Sequence, residues 1–131
     1  MDCGRCGSSR SYQTISHDLN RVMNRIKALC RGWGIPCAGT QVYAPRYREE
    51  WLDKIPHTGV RRRAELLYQQ LDGLQGLRRA LRPELLAESR KHRATKLLRE
   101  IPCIGPIRAA RLIALMQTPH RFRSKRQLWT L

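Results

Sequence analysis

The sequence predicts an all-α protein: long helices with coiled-coil-like pairing, followed by a short helix, a tight turn and a second helix. Three observations carry this. Apolar residues recur at steps of three and four over residues 12–33 and again over residues 60–81, which is the period of an amphipathic helix and not the alternation of a strand. The patterned stretches are closed by glycine and proline, the ordinary helix stop signals. The longest connector, GIPCAGTQVYAP over residues 34–45, has too little regularity to predict a strand.

Residues 1–9 are Gly/Ser-rich and unpatterned, and they read as a disordered leader. Cys3 and Cys6 form a CxxC pair, but tetrahedral zinc needs four ligands. His17, Cys30 and Cys37 do not make a second pair at suitable spacing, so free thiols are the favoured reading over a zinc adaptor. From Tyr12 to Trp33 the positions Ile15, Leu19, Val22, Met23, Ile26, Leu29, Cys30 and Trp33 form one stripe, with Arg21, Arg25, Lys27 and Arg31 among the residues between them. That stripe predicts core. Gly32, Gly34 and Pro36 predict the helix end.

A short helix is expected over Arg46–Ile55, with Trp51, Leu52 and Ile55 capping the core. Glu49, Glu50 and Asp53 lie close together, yet Arg46, Arg48 and Lys54 beside them favour surface ion pairing over acid/base or metal chemistry. Val60, Ala64, Leu67, Leu71, Leu74 and Leu81 then keep a seam of alternating steps. Gly73 and Gly76 weaken it by about 1 kcal/mol each relative to Ala, and Arg78 fills a polar slot. Pro83 is expected to kink the helix or to start a new one, PELLAESRK.

A net charge of +16 and a pI near 11.0 point to a polyanionic partner, nucleic acid before membrane surface. The charge is uneven. Between Arg90 and Arg126 eleven Arg and Lys residues face one carboxylate, Glu100. No apolar run reaches the roughly 18 residues of a membrane span, and MDCGRCGSSR lacks a signal-peptide core. Five cysteines at irregular spacing argue for a reducing compartment. The expected location is cytoplasmic, associated with the nucleoid.

The stretch KHRATKLLREIPCIGPIRAARLIALMQ, residues 91–117, holds the most specific pattern. Ala94, Leu97, Leu98 and Ile101 have helical spacing, and that helix should stop before Pro102. Gly105 permits a positive φ or the close approach of another backbone, and Pro106 suits the first turn of a second helix carrying Ala109, Leu112, Ile113 and Met116 on one face. Arg108 and Arg111 sit in that helix's first turns, where the dipole opposes them by roughly 0.3–1 kcal/mol each unless an anion is bound. A phosphate supplies the anion. This is the layout of a helix-hairpin-helix nucleic-acid module. The candidate binding residues are Ile104, Gly105, Ile107, Arg108 and Arg111, with Lys96, Arg99, Arg121, Arg123, Lys125 and Arg126 adding charge.

From about Arg10 onward, NRVMNRIKALCRGWGIPC, the leucine-patterned spacer and LLREIPCIGPIRAARLIALMQTPHRFRSKRQLW together resemble transposases of the insertion-sequence one-ten family. The resemblance implies an RNA-guided DNA recombinase with a RuvC-like N-terminal domain, a helical coiled-coil middle and a C-terminal domain with a catalytic serine. It maps residues 10–90 onto the helical middle and 91–131 onto the start of the C-terminal domain. In the family the acidic tetrad lies upstream of this region and the serine downstream, and neither Asp18 nor Ser124 corresponds to them. The expectation is therefore a DNA-binding transposase fragment, inactive alone and without a cofactor; a divalent metal such as Mg would belong to the RuvC-like domain. DNA and guide RNA are the implied partners, with self-association through helices 12–33 and 60–81. A helical oligomerisation module without a DNA-binding role is the alternative. Cys103 stands where the hairpin often has glycine.

Overall fold

The computed structural model describes residues 3–116 and 123–128. Among them six α-helices follow one another: α1 (Cys3–Gly32), α2 (Arg48–Asp53), α3 (Thr58–Arg90), α4 (Ala94–Arg99), α5 (Pro106–Met116) and α6 (Lys125–Leu128). The described residues contain no strand. The chain forms two compact units, residues 15–77 and residues 1–14 with 78–131.

The 15–77 unit is built on the two predicted stripes. Leu19, Val22, Ile26 and Cys30 of α1 share one buried cluster with Ala64, Tyr68 and Leu71 of α3, and Ile15, Met23, Leu29, Val60, Leu67 and Leu74 pack against it. The seam over residues 60–81 is thus largely covered inside this unit, as far as Leu74. Trp33 departs from the stripe and is 46% exposed. The end of α1 explains why. Ile35 donates to the Cys30 carbonyl at 2.9 Å and Gly34 to the Arg31 carbonyl at 3.0 Å, while Gly34 takes φ 69°. This is a Schellman stop. It turns Ile35 into the core and leaves Trp33 outside, stacked on His57 with ring centroids 6.0 Å apart.

The connector folds onto the helices as single 3-10 turns at Gln41–Tyr43 and Pro45–Tyr47. Val42 is fully buried. Its carbonyl accepts the Tyr68 hydroxyl at 2.8 Å, and burial pushes the Tyr68 phenol up to about 12. Trp51, Leu52 and Ile55 are buried as expected. The ion pairs differ in detail from the local ones expected. Asp53 pairs with Arg61 at 3.2 Å, and Arg48 reaches α3, donating to both Asp72 carboxylate oxygens at 2.7 and 2.8 Å while lying 4.7 Å from the Tyr68 ring centroid. Cys30, Cys37 and Cys103 are free thiols; burial, with Cys37 nearby, raises the Cys30 pKa.

In the other unit, α1 already begins at Cys3, where the sequence predicts a disordered leader over residues 1–9. Ser9 is only 6% exposed. The side chains of Cys3 and Cys6 lie outside the described residues. Helix α3 also runs on through Pro83. Proline there removes one backbone bond and crowds the preceding turn, but Leu85 and Ser89 just beyond it are buried and hold the helical path. The division between units, after Leu77, falls between Gly76 and Pro83, where the helix is intrinsically weakest.

Candidate nucleic-acid interface

The candidate interface is a corner between α3 and α4. Helix α3 ends at Arg90, and the chain turns through Lys91, His92 and Arg93 before α4. Buried polar side chains fix this corner. The Thr95 hydroxyl donates to the Ser89 carbonyl, and the Ser89 hydroxyl donates to the Leu86 carbonyl at 2.9 Å. The His92 amide also donates to the Ser89 carbonyl, at 3.0 Å. His92 Nδ1 accepts the Ala94 amide at 3.2 Å, which places any ring proton of neutral His92 on Nε2. Each bond satisfies a group that is otherwise costly to bury.

Around the corner lies a groove of about 770 Å³ lined by Arg90, Lys91, His92, Arg93, Thr95, Lys96, Arg99 and Glu100. Five cations face one carboxylate there. Lys91 is partly quenched by Glu88 at 3.1 Å, while Arg90, Arg93, Lys96 and Arg99 have no carboxylate partner among the described residues. Of the predicted binding residues, the groove brings together Lys96 and Arg99. Arg90, Lys91, Arg93 and His92 belong with them, and sequence reasoning left them out of the binding set. Their place in the basic run was visible; the turn that gathers them depends on the Ser89–Thr95 bond, which has no sequence signature.

Beyond the groove, α4 and α5 pack against each other across a turn over residues 100–105. The turn departs from expectation. Cys103, not Gly105, is left-handed, at φ 70°. A β-carbon there costs roughly 1–2 kcal/mol. Arg108 spans the turn, donating to the Cys103 carbonyl at 2.9 Å, so its guanidinium already braces the hairpin. Gly105 has an ordinary φ, and a β-carbon at that position meets nothing within 4 Å. Its carbonyl accepts the Ala109 amide at 3.0 Å.

Ile104, Ile107 and Arg111 are half-buried. Ala109, Ala110 and Ile113 form the buried face of α5. In α4 the buried residue is Thr95, whereas Leu97 and Ile101 of the predicted apolar set are 66% and 48% exposed. Arg123, Lys125 and Arg126 are exposed near α6, and the Arg123 amide donates to the Gln127 side chain at 2.9 Å. Arg121 lies outside the described residues.

Residues 95–131 match the transposase IS116/IS110/IS902 family. This part of the chain is similar to transposase sequence. Searches of curated proteins and of solved structures found no match. The matched transposase segment starts at Thr95, inside the groove, and takes in Lys96, Arg99, the hairpin, α5 and α6. The similarity to transposases thus covers the α4 side of this basic surface. No helix among the described residues is long and apolar enough to cross a membrane.

Proposed function

We propose that the 90–126 region grips duplex DNA for a transposase of this family, by its phosphate backbone and without reading bases. The observation that carries the reading is the groove at the α3–α4 corner, where four cations without a carboxylate partner among the described residues gather on a hydrogen-bonded turn. Such contacts set position and carry no sequence information. The hairpin extends the grip as a helix-hairpin-helix element. The open space before Gly105 admits a phosphate to the first amides of α5, while Arg108 holds the turn in shape and Arg111, Arg123, Lys125 and Arg126 add long-range attraction. The proposal assigns holding, not strand cleavage or joining, to these residues.

Self-association through the two long stripes is not needed to cover them, since most of their residues meet in the 15–77 core. The test is duplex binding by the whole chain at two salt concentrations. A log–log slope of about −0.9 per neutralised phosphate is expected. Replacing both Arg93 and Arg99 with alanine should flatten it by up to about two phosphates. Gly105→Ala should leave stability intact and weaken binding, because the added methyl occupies the phosphate's approach. If neither variant alters binding, the reading fails.

A further inference from the structure

A second groove, of about 540 Å³, lies wholly within the 15–77 unit, between the C-terminal part of α1 and the first turns of α3. Arg25, Leu29, Trp33, Val60, Arg63 and Leu66 line it. Trp33 and Leu66 are 46% and 47% exposed, large apolar groups left in water although the unit has a closed core beside them. His57 stacks on Trp33 and steadies the indole. The rim is cationic and unquenched. On the same turn of α3, Arg61 pairs with Asp53 and Arg62 with Glu65, but neither Arg63 nor Arg25 across the groove has a carboxylate partner among the described residues.

We propose that this groove docks an acidic amphipathic helix of a partner protein. An apolar floor between two free guanidinium groups matches a helix with apolar anchors at i, i+3 or i+4 and i+7 flanked by Glu or Asp. Exposed Trp and Arg are the residue types that dominate interface energetics. The floor decides against a nucleobase, because Leu29, Val60 and Leu66 are aliphatic and the one aromatic ring already stacks on His57. Charge decides against a second copy of the chain, whose net +16 repels itself and whose α1 is basic between its apolar positions. The proposal uses none of the residues of the DNA grip and stands or falls separately from it.

The probe is a labelled synthetic peptide of about eighteen residues, roughly five helical turns, with a leucine stripe and glutamate flanks. Binding to the full chain is followed by anisotropy and by Trp fluorescence. The amphipathic peptide should bind at least about tenfold tighter than a scrambled peptide of equal composition, which controls for general attraction to a basic protein. Leu66→Glu, at an exposed position, should remove that advantage. If Leu66→Glu fails to fold by circular dichroism, Leu66→Ala takes its place, with a smaller loss in the same direction. Arg25→Glu combined with Arg63→Glu should reverse the preference toward a peptide with lysine flanks. Equal binding of the scrambled peptide, an unchanged preference in the charge-reversed variant, or displacement of the peptide from the groove by a single-stranded oligonucleotide would overturn the proposal.

Discussion

Residues 15–77 and the remainder of the chain handle charge in opposite ways. The first stretch carries ten Arg and Lys against six Asp and Glu, the rest sixteen against four. In 15–77 four carboxylates take cations: Asp18 takes Arg21, Asp72 takes Arg48, and Asp53 and Glu65 take Arg61 and Arg62. At the α3–α4 corner Arg90, Arg93, Lys96 and Arg99 have no carboxylate partner among the described residues. Burial differs as well: the large buried cluster lies in 15–77, although both regions leave large apolar residues exposed, Trp33 and Leu66 in one and Leu97, Ile101 and Leu115 in the other. In 15–77 a more balanced charge surrounds a closed core, whereas at the corner cations without a carboxylate partner among the described residues gather on a small, hydrogen-bonded turn.

The contrast breaks most visibly at Leu71, which is fully buried. Leu71→Ala should cost about 2–5 kcal/mol in denaturant unfolding. The groove variant Arg93→Ala with Arg99→Ala should cost almost no stability and instead weaken DNA binding, with a salt slope flatter by up to about two phosphates. A large stability loss in the groove variant would make the corner scaffold as well.

Next in size is Tyr68→Phe. It strands the buried Val42 carbonyl and should cost about 1–3 kcal/mol. It also has a pH signature. The Tyr68 pKa is raised to about 12, so the folded state holds its proton more tightly than the unfolded chain, whose phenol titrates near 10. The associated stability is complete below about pH 10 and is lost as pH rises toward about 12. Phe should abolish that alkaline component; an unchanged alkaline limb of stability against pH would assign it to another group.

Cys103→Gly sharpens the comparison from the other side. It relieves a left-handed β-carbon and should stabilise the α4–α5 hairpin by about 1 kcal/mol, seen as a rise in melting temperature. A fall would mean that the thiol contributes packing despite its exposure. The smallest effect belongs to Asp72→Asn. The two bonds from Arg48 hold the Asp72 carboxyl below its usual pKa, so the pair stabilises the fold above the ordinary aspartate range. That contribution is lost as pH falls through the lowered value. Asp72 is half exposed, and solvent screening limits the gain to about 1 kcal/mol or less. Acid titration of stability for wild type and Asp72→Asn checks it: the two curves should converge at low pH.

Much of the scaffold was legible in the sequence because a helical stripe states which face is buried. Leu19, Val22, Ile26, Ala64 and Leu71 stand where the period puts them. Pro83 and the Gly/Ser-rich start were less legible, since local preferences predict a break at each and burial of Leu85, Ser89 and Ser9 outweighs them. For the interface, the basic run was plain, but Arg108 was expected to face a ligand and instead holds a carbonyl of its own turn. Gly105 offers either a positive φ or a close backbone approach, and the positive φ of the turn falls at Cys103.

By itself the sequence determined the helical class, the two stripes, the excess of positive charge after residue 90 and the transposase resemblance, because periodicity, composition and family pattern are properties of chain order. Tertiary structure alone decided where the stripes close, that Trp33 and Leu66 remain outside, and which cations share a groove. Those depend on the Schellman stop after Gly32, on Tyr68 reaching Val42 and on Thr95 reaching Ser89. The stop itself is announced by glycine and proline, but not which side chain it leaves outside; the Tyr68–Val42 and Thr95–Ser89 contacts join residues whose spacing follows no helical period, so no pattern along the chain announces them.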